Sequence, residues 1–149
     1  MKTSALLYRA LLTASVFALT TSGVNARNDL LKFPIKDAME TPDAKAKLTG
    51  DVKFFFSGQA TPKSSRTFGA FTANKKTNFA NKSDKEGCER AFLSSMIALQ
   101  DRALREGGNA VIDIYSYYDK REFKSDTEYQ CAAGNIMGGV ALRGTVVKL

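Results

Sequence analysis

The sequence predicts an α+β fold: one long helix packed on a mostly antiparallel sheet of four to five strands, stapled by one disulfide. Three observations carry this expectation. A capped apolar repeat with one face runs from Ser83 to Gly107. Runs rich in β-branched and aromatic residues lie before and after it, the later ones joined by short links. Two cysteines, Cys88 and Cys131, follow an N-terminal export signal.

Residues 1–26 have the three parts of a cleavable secretory signal. Lys2 and Arg9 supply the positive start, and no acidic residue occurs before Asp29. Ala10 to Leu19 is the apolar middle, Thr20 to Gly23 break it, and Val24-Asn25-Ala26 places small residues where a signal peptidase reads. The alternative, a transmembrane anchor, needs about 20 apolar residues, roughly twice this run. A lipid anchor needs a cysteine at the cleavage point, and the first cysteine is Cys88. The mature chain is therefore expected to be soluble and periplasmic or secreted. Removing residues 1–26 from the 149-residue chain leaves 123, enough for one domain with one core. The formal charge falls from +7 to +5, because Lys2 and Arg9 leave with the signal. So mild an excess suits an anionic partner without requiring one.

Residues 27–50 read as an N-terminal arm, partly disordered or holding one short helix that ends at Gly50, because Pro34 and Pro42 interrupt the helix-favouring runs. Residues 51–149 form the single α+β domain. Val52 to Phe56 is a strand by its aromatic content, Gly58 to Ser65 a loop, and Thr67 to Thr72 a weaker strand candidate. Asn74 to Asn78 is polar and basic, and reads as loop or edge.

The helix is the best-defined element. Ser83-Asp84-Lys85-Glu86 is a capping box, in which the serine hydroxyl meets the amide three residues on and Glu86 reaches back. Apolar or small residues at Cys88, Ala91, Phe92, Ser95, Met96, Leu99 and Ala103 make one face, widened by Leu93, Ile97 and Leu104. Gly107 ends the helix because glycine enters the left-handed region cheaply. About 23 residues at 1.5 Å each span roughly 34 Å, enough to cross a small sheet.

Asn109 to Tyr118 is a strong strand, with alternation placing Ala110, Ile112 and Ile114 on one face and Val111, Asp113, Tyr115 and Tyr117 on the other. Asp119 to Asp126 is a charged connection. Glu128 to Ala133 alternates, with Tyr129 and Cys131 on one face. Gly138-Gly139 precede a last strand, Val140 to Lys148, in which Gly144 marks a bulge or bend. In an oxidising compartment the even cysteine pair is expected to be a disulfide, closing a loop of about 40 residues worth roughly 4 kcal/mol in the chain-entropy model. Two unrelated thiols are the alternative.

Several chemistries are absent. The chain has no histidine, which excludes Ser-His-Asp and Cys-His catalysis and histidine-ligated zinc. No Gly-x-x-x-x-Gly-Lys-Ser/Thr run occurs, so no P-loop and no ATP chemistry is expected. No cofactor or metal is expected. Asp113, Glu122, Asp126 and Glu128 could serve as acid and base, but no spacing selects a pair. Lys75, Lys76, Lys82 and Lys85, near Phe71 and Phe79, make a basic-aromatic patch suited to single-stranded nucleic acid or to anionic lipid head groups. The alternative is a solvated basic loop whose phenylalanines belong to the core. Tyr115, Tyr117 and Tyr118 form a second patch; an open aromatic sheet face is a contact surface for a partner or a second copy.

The stretch Thr77 to Asp84, the helix segments Cys88, Ala91 to Ser94 and Leu99-Gln100, then Gly108 to Val111, Ser116 to Tyr118, Tyr129 to Gly134 and Gly139 to Gly144 resemble a family of short exported bacterial proteins. Its members are commonly labelled as the ATPase component of excinuclease ABC, and the resemblance covers about residues 52–149. The label implies P-loops and zinc-binding cysteines, and this chain offers no position onto which either carries over. More distantly, the order of helix, Gly-Asn-Ala-Val strand, cysteine-bearing strand and glycine-rich last strand is similar to the Rcs envelope-stress lipoprotein sensor and to YbjQ-type small domains. That resemblance implies disulfides between helix and sheet; this chain departs in having one cysteine pair and no lipid-attachment cysteine.

The expected function is non-enzymatic: a periplasmic binding or envelope-stress-related domain that contacts an envelope protein or an anionic envelope component. Lys75, Lys76, Lys82, Tyr115 and Tyr117 are the candidate binding residues. The alternatives are nucleic-acid or anionic-glycolipid binding, of which nucleic acid is the less favoured, and a carboxylate-dependent hydrolase.

Overall fold

A computed structural model describes residues 26–149; the predicted signal, apart from Ala26, lies outside them. Among the described residues a 23-residue helix packs on a six-stranded, mostly antiparallel sheet, one or two strands more than expected.

The extra strand comes from the N-terminal stretch. In place of an arm with one short helix, residues 27–50 contain β1 (Asp29–Pro34), α1 (Ile35–Glu40) and α2 (Pro42–Lys47). β1 pairs antiparallel with β5 (Glu128–Ala133), from Asp29 opposite Ala133 to Pro34 opposite Glu128. Pro42 begins a helix instead of breaking one: it occupies the first turn, where its missing N–H is no loss. The Thr41 hydroxyl caps that turn by accepting from the Ala44 amide at 3.2 Å. Ile35, Ala38 and Ala44 are buried, so the segment belongs to the fold.

β2 (Lys53–Phe56) runs parallel to β4 (Ala110–Ser116), as the long crossover between them allows. β3 (Arg66–Asn78) is one 13-residue strand that joins the candidate strand Thr67 to Thr72 to the polar run that reads as loop or edge, and that run is edge strand. It pairs along its length with β6 (Met137–Lys148), which starts three residues earlier than the sequence indicated. α3 (Asp84–Glu106) has the predicted bounds: the Ser83 hydroxyl accepts from the Glu86 amide at 3.2 Å, and Gly107 takes a φ of 81°. All seven predicted face residues from Cys88 to Ala103 are buried. Leu93 joins them, Ile97 is half-buried, and Leu104 is exposed.

α3 crosses the face of the sheet formed by Val140, Leu142 and Val146 of β6, and the Ser95 hydroxyl donates to the Val140 carbonyl at 2.8 Å. Phe92 lies at the centre, 4.4 Å from the Tyr129 ring and 6.2 Å from Phe56. Beside it a disulfide joins Cys88, in the first turns of α3, to Cys131 of β5.

In β4 the simple alternation fails. Asp113 takes a φ of 47°, and a bulge lies between Ile112 and Tyr115. One extra residue shifts the pattern, so Val111 and Ile114, predicted on opposite faces, both enter the core. Both side chains lie over Gly144 of β6, where a Cβ would come within 2.6 Å of Val111 Cγ1 and 3.0 Å of Ile114 Cγ1. Gly144 therefore leaves room for the bulge in the neighbouring strand.

Candidate functional site

β6 is the hub of the sheet. Along one edge it pairs with β3; along the other it is shared, β4 taking Leu142 to Val147 and β5 taking Gly138 and Gly139. The two partners part at Ser116. Its hydroxyl accepts from the Gln130 amide of β5 at 2.8 Å, and the Tyr117 amide donates to the Ala141 carbonyl at 2.8 Å. These two bonds satisfy backbone groups that neither ladder reaches. The chain leaves the sheet here, makes a tight turn at Tyr118–Lys120 in which Asp119 and Lys120 take φ of 51° and 59°, and returns through a pair of bonds between Ser116 and Phe123.

Because the bulge shifts the alternation of β4 by one residue, Tyr115 lies on the face opposite to Val111 and faces Arg143 on the side of the sheet away from α3. The rings of Tyr115 and Tyr117 meet edge to face at 6.1 Å. The Arg143 guanidinium lies 5.3 Å from the Tyr117 ring and donates to the Thr72 hydroxyl of β3 at 3.0 Å. Lys124 Nζ stands 4.8 Å over the Tyr115 ring and 3.4 Å from Asp113. The Tyr115 hydroxyl donates to Glu122 Oε1 at 3.1 Å. Partial burial, and after it this bond, push the Tyr115 phenol above its ordinary value, so it remains a neutral donor near neutrality.

Next to the tyrosines a groove of about 340 Å³ opens on the same face. Ala132 of β5 and Gly139 of β6, paired with each other, form its floor, and their small size makes the depression. Asn74 and Lys76 of β3 wall one side; Asn28, Tyr118 and Asp119 wall the other. Asn28 Nδ2 donates to the Tyr118 hydroxyl at 3.4 Å. Among the described residues neither Lys76 nor Arg143 is paired with a carboxylate.

The basic-aromatic patch is divided. Lys75 and Lys76 are successive residues of a strand, so they point to opposite faces. Lys76 lines the open-face groove, whereas Lys75 lies on the α3 side with Phe71 and Ala73. Lys82 is in the turn that enters α3, its amide donating to the Phe79 carbonyl at 3.1 Å. Phe79 is a buried core residue, and Phe71 packs against the core under the Arg102 guanidinium at 3.9 Å. The four carboxylates weighed for hydrolysis are all exposed; Asp113 is paired with Lys124, and Glu122 accepts from Tyr115.

Sequence reasoning missed Arg143, Asn28 and Asn74. Arg143 had a signal: it is the one charged residue between Val140 and Val147. Asn28 and Asn74 had none, since only the pairing of β1 and β3 into one sheet brings them together. No helix among the described residues is long and apolar enough to cross a membrane. No family model matches the chain, and neither a curated protein nor a solved structure matches it.

Proposed function

We propose that this chain is an exported, non-catalytic binding domain of the cell envelope, whose ligand is an anionic envelope component held on the open face of the sheet. One observation carries the reading. Lys76 and Arg143, two cations without carboxylate partners among the described residues, stand on the same uncovered face as Tyr115, Tyr117 and a groove with amide-bearing walls. Cations supply affinity for a phosphate or carboxylate head group, aromatic rings give contact area at low entropic cost, and Asn28 and Asn74 orient hydroxyl-rich groups. The resemblance to exported and envelope-stress proteins fits the same compartment.

Titration calorimetry of the exported chain with purified lipopolysaccharide and with vesicles of anionic phospholipid tests this. Binding should weaken as salt rises. Lys76→Gln and Tyr117→Ser should each reduce affinity by about tenfold, the loss of about 1.4 kcal/mol, with the circular dichroism spectrum unchanged. Absence of binding to either probe at low salt overturns the proposal, as does binding indifferent to both substitutions.

A further inference from the structure

We infer that the groove between β3 and α3, on the side of the sheet opposite the tyrosine face, receives an extended polypeptide segment carrying carboxylates, which adds a strand to the free edge of β3.

β3 pairs only with β6, so its second edge is open among the described residues. Which backbone groups face outward follows from the ladder. The Phe79 amide donates to the Ile136 carbonyl, and the Ala141 carbonyl, opposite Asn74, is taken on the far side of β6 by Tyr117. Antiparallel pairing alternates between bonded and non-bonded pairs. Lys75 and Ala73 are therefore bonded to β6, while the amides and carbonyls of Ala70, Thr72, Asn74 and Lys76 point away from it. Four such residues present about 20 Å of unpaired backbone at roughly 3.3 Å per residue.

An edge alone is no site; here a wall stands beside it. Two adjoining cavities of about 310 and 370 Å³ run between this edge and α3. Ala98, Ile97 and Leu99 supply the apolar part of the helix wall, and Arg102 and Arg105 the charged part. A strand docked at the ladder spacing sets alternate side chains against that wall, the geometry in which main-chain bonds give affinity and side-chain pockets give specificity.

Charge selects the occupant. The groove is lined by Lys75, Arg102 and Arg105, with Lys76 reaching it only at the edge it shares with the open face, against the single carboxylate Asp101. Arg102 lies 3.9 Å over the Phe71 ring and is paired with Glu106 at 2.8 Å, yet its buried Nε has no hydrogen-bond partner among the described residues. A second copy of β3 is disfavoured, because Arg66 to Asn78 contains three cations and no acid. Lysines on an edge strand guard against self-pairing, and here they leave the edge open to a chain of opposite charge.

Selection of random decapeptides displayed on phage against the exported, disulfide-intact chain tests the inference. Enriched peptides should carry Asp or Glu within a β-branched, alternating pattern. A synthetic copy of one should slow hydrogen exchange at Thr72, Asn74 and Lys76. Arg105→Gln should raise its Kd at least fivefold. Asn74→Pro, which removes an amide that the fold leaves unpaired, should raise it at least tenfold; if this variant fails to fold, the exchange footprint on the unaltered chain decides. No enrichment, enriched peptides lacking acidic residues, protection elsewhere on the molecule, or a β3-mediated dimer seen by sedimentation overturns the proposal.

Discussion

The Phe79 ring is wedged against the backbone of Gly138. A Cβ at position 138 would overlap Phe79 Cζ and lie 2.7 Å from the Ala132 carbonyl oxygen. The same ring touches Gly87 of α3, where a Cβ would meet it at 2.6 Å. One buried aromatic therefore holds the start of the helix and the start of β6 at a separation that only glycine permits on both sides. Gly138→Ala should lower stability by about 1–3 kcal/mol, the usual cost of forcing extra volume into a packed core. Gly87→Ala should also destabilise, although alanine is ordinarily the better helix former by about 1 kcal/mol. Urea midpoints measure both, and an unchanged midpoint for Gly138→Ala would show that the ring can move aside.

The Cys88–Cys131 disulfide spans 43 residues and joins α3 to β5. The chain-entropy model gives about 4 kcal/mol for a loop of that size. Reduction, or Cys88→Ser with Cys131→Ser, should cost about 2–4 kcal/mol of that. Peptide mapping without reductant should recover the two cysteines in one linked fragment. Two alkylatable thiols in the chain isolated without reductant would contradict the bond.

The two helix ends were legible because their chemistry is local: Ser83 and Glu86 lie three residues apart, and Gly107 takes the left-handed conformation with no help from the rest of the fold. The disulfide was legible from parity and from the compartment that the N-terminal sequence leads one to expect. β3 was legible only in its first half, Thr67 to Thr72; its continuation reads as loop or edge, because an edge strand meets water on one side and tolerates polar residues such as Asn74 to Asn78. The bulge at Asp113 was invisible for another reason. A strict alternation fits the sequence from Ala110 to Tyr117, and only the packing of Val111 and Ile114 over Gly144 requires the extra residue. The tyrosine face could be read from a local pattern, whereas the groove beside it joins Asn28 just before β1, Lys76 of β3 and Tyr118 in the turn after β4.

Asp113 offers a test of that bulge. At a φ of 47° a side chain is strained unless it is Gly, Asn or Asp. Asp113→Gly should be neutral or stabilising, whereas Asp113→Val should cost about 1–2 kcal/mol. Equal midpoints for the glycine and valine variants would place the bulge elsewhere.

Gln100 is buried on α3 and binds the segment before β2 at two points. Its Oε1 accepts from the Thr49 amide at 2.9 Å, and its Nε2 donates to the Lys47 carbonyl at 3.2 Å. Gln100→Leu preserves volume but strands both backbone groups, at a cost of about 1–3 kcal/mol. Hydrogen exchange at Thr49 should quicken by more than global destabilisation accounts for. Exchange that tracks global stability alone would mean water replaces the glutamine.

Tyr129 carries the clearest dependence on pH. It is 1 % exposed, enclosed by Phe92 and Phe33, and its hydroxyl has no hydrogen-bond partner among the described residues. Burial, and behind it the charges of Glu89 and Asp37, push its phenol well above the ordinary value. The folded chain thus keeps a proton that the unfolded chain releases above about pH 10. Stability is fully present below that pH and falls as pH rises, by up to about 1.4 kcal/mol per pH unit from this group. Tyr129→Phe removes the titration and a polar atom with nothing to bond, so it should be neutral or stabilising at pH 7. Its stability should decline less steeply than that of the unaltered chain between about pH 9.5 and 11. The phenols and lysines common to both proteins, Tyr115 and Lys85 among them, contribute equally and cancel in the comparison. Parallel alkaline declines measured by urea unfolding would show that the Tyr129 hydroxyl reaches water in the folded state.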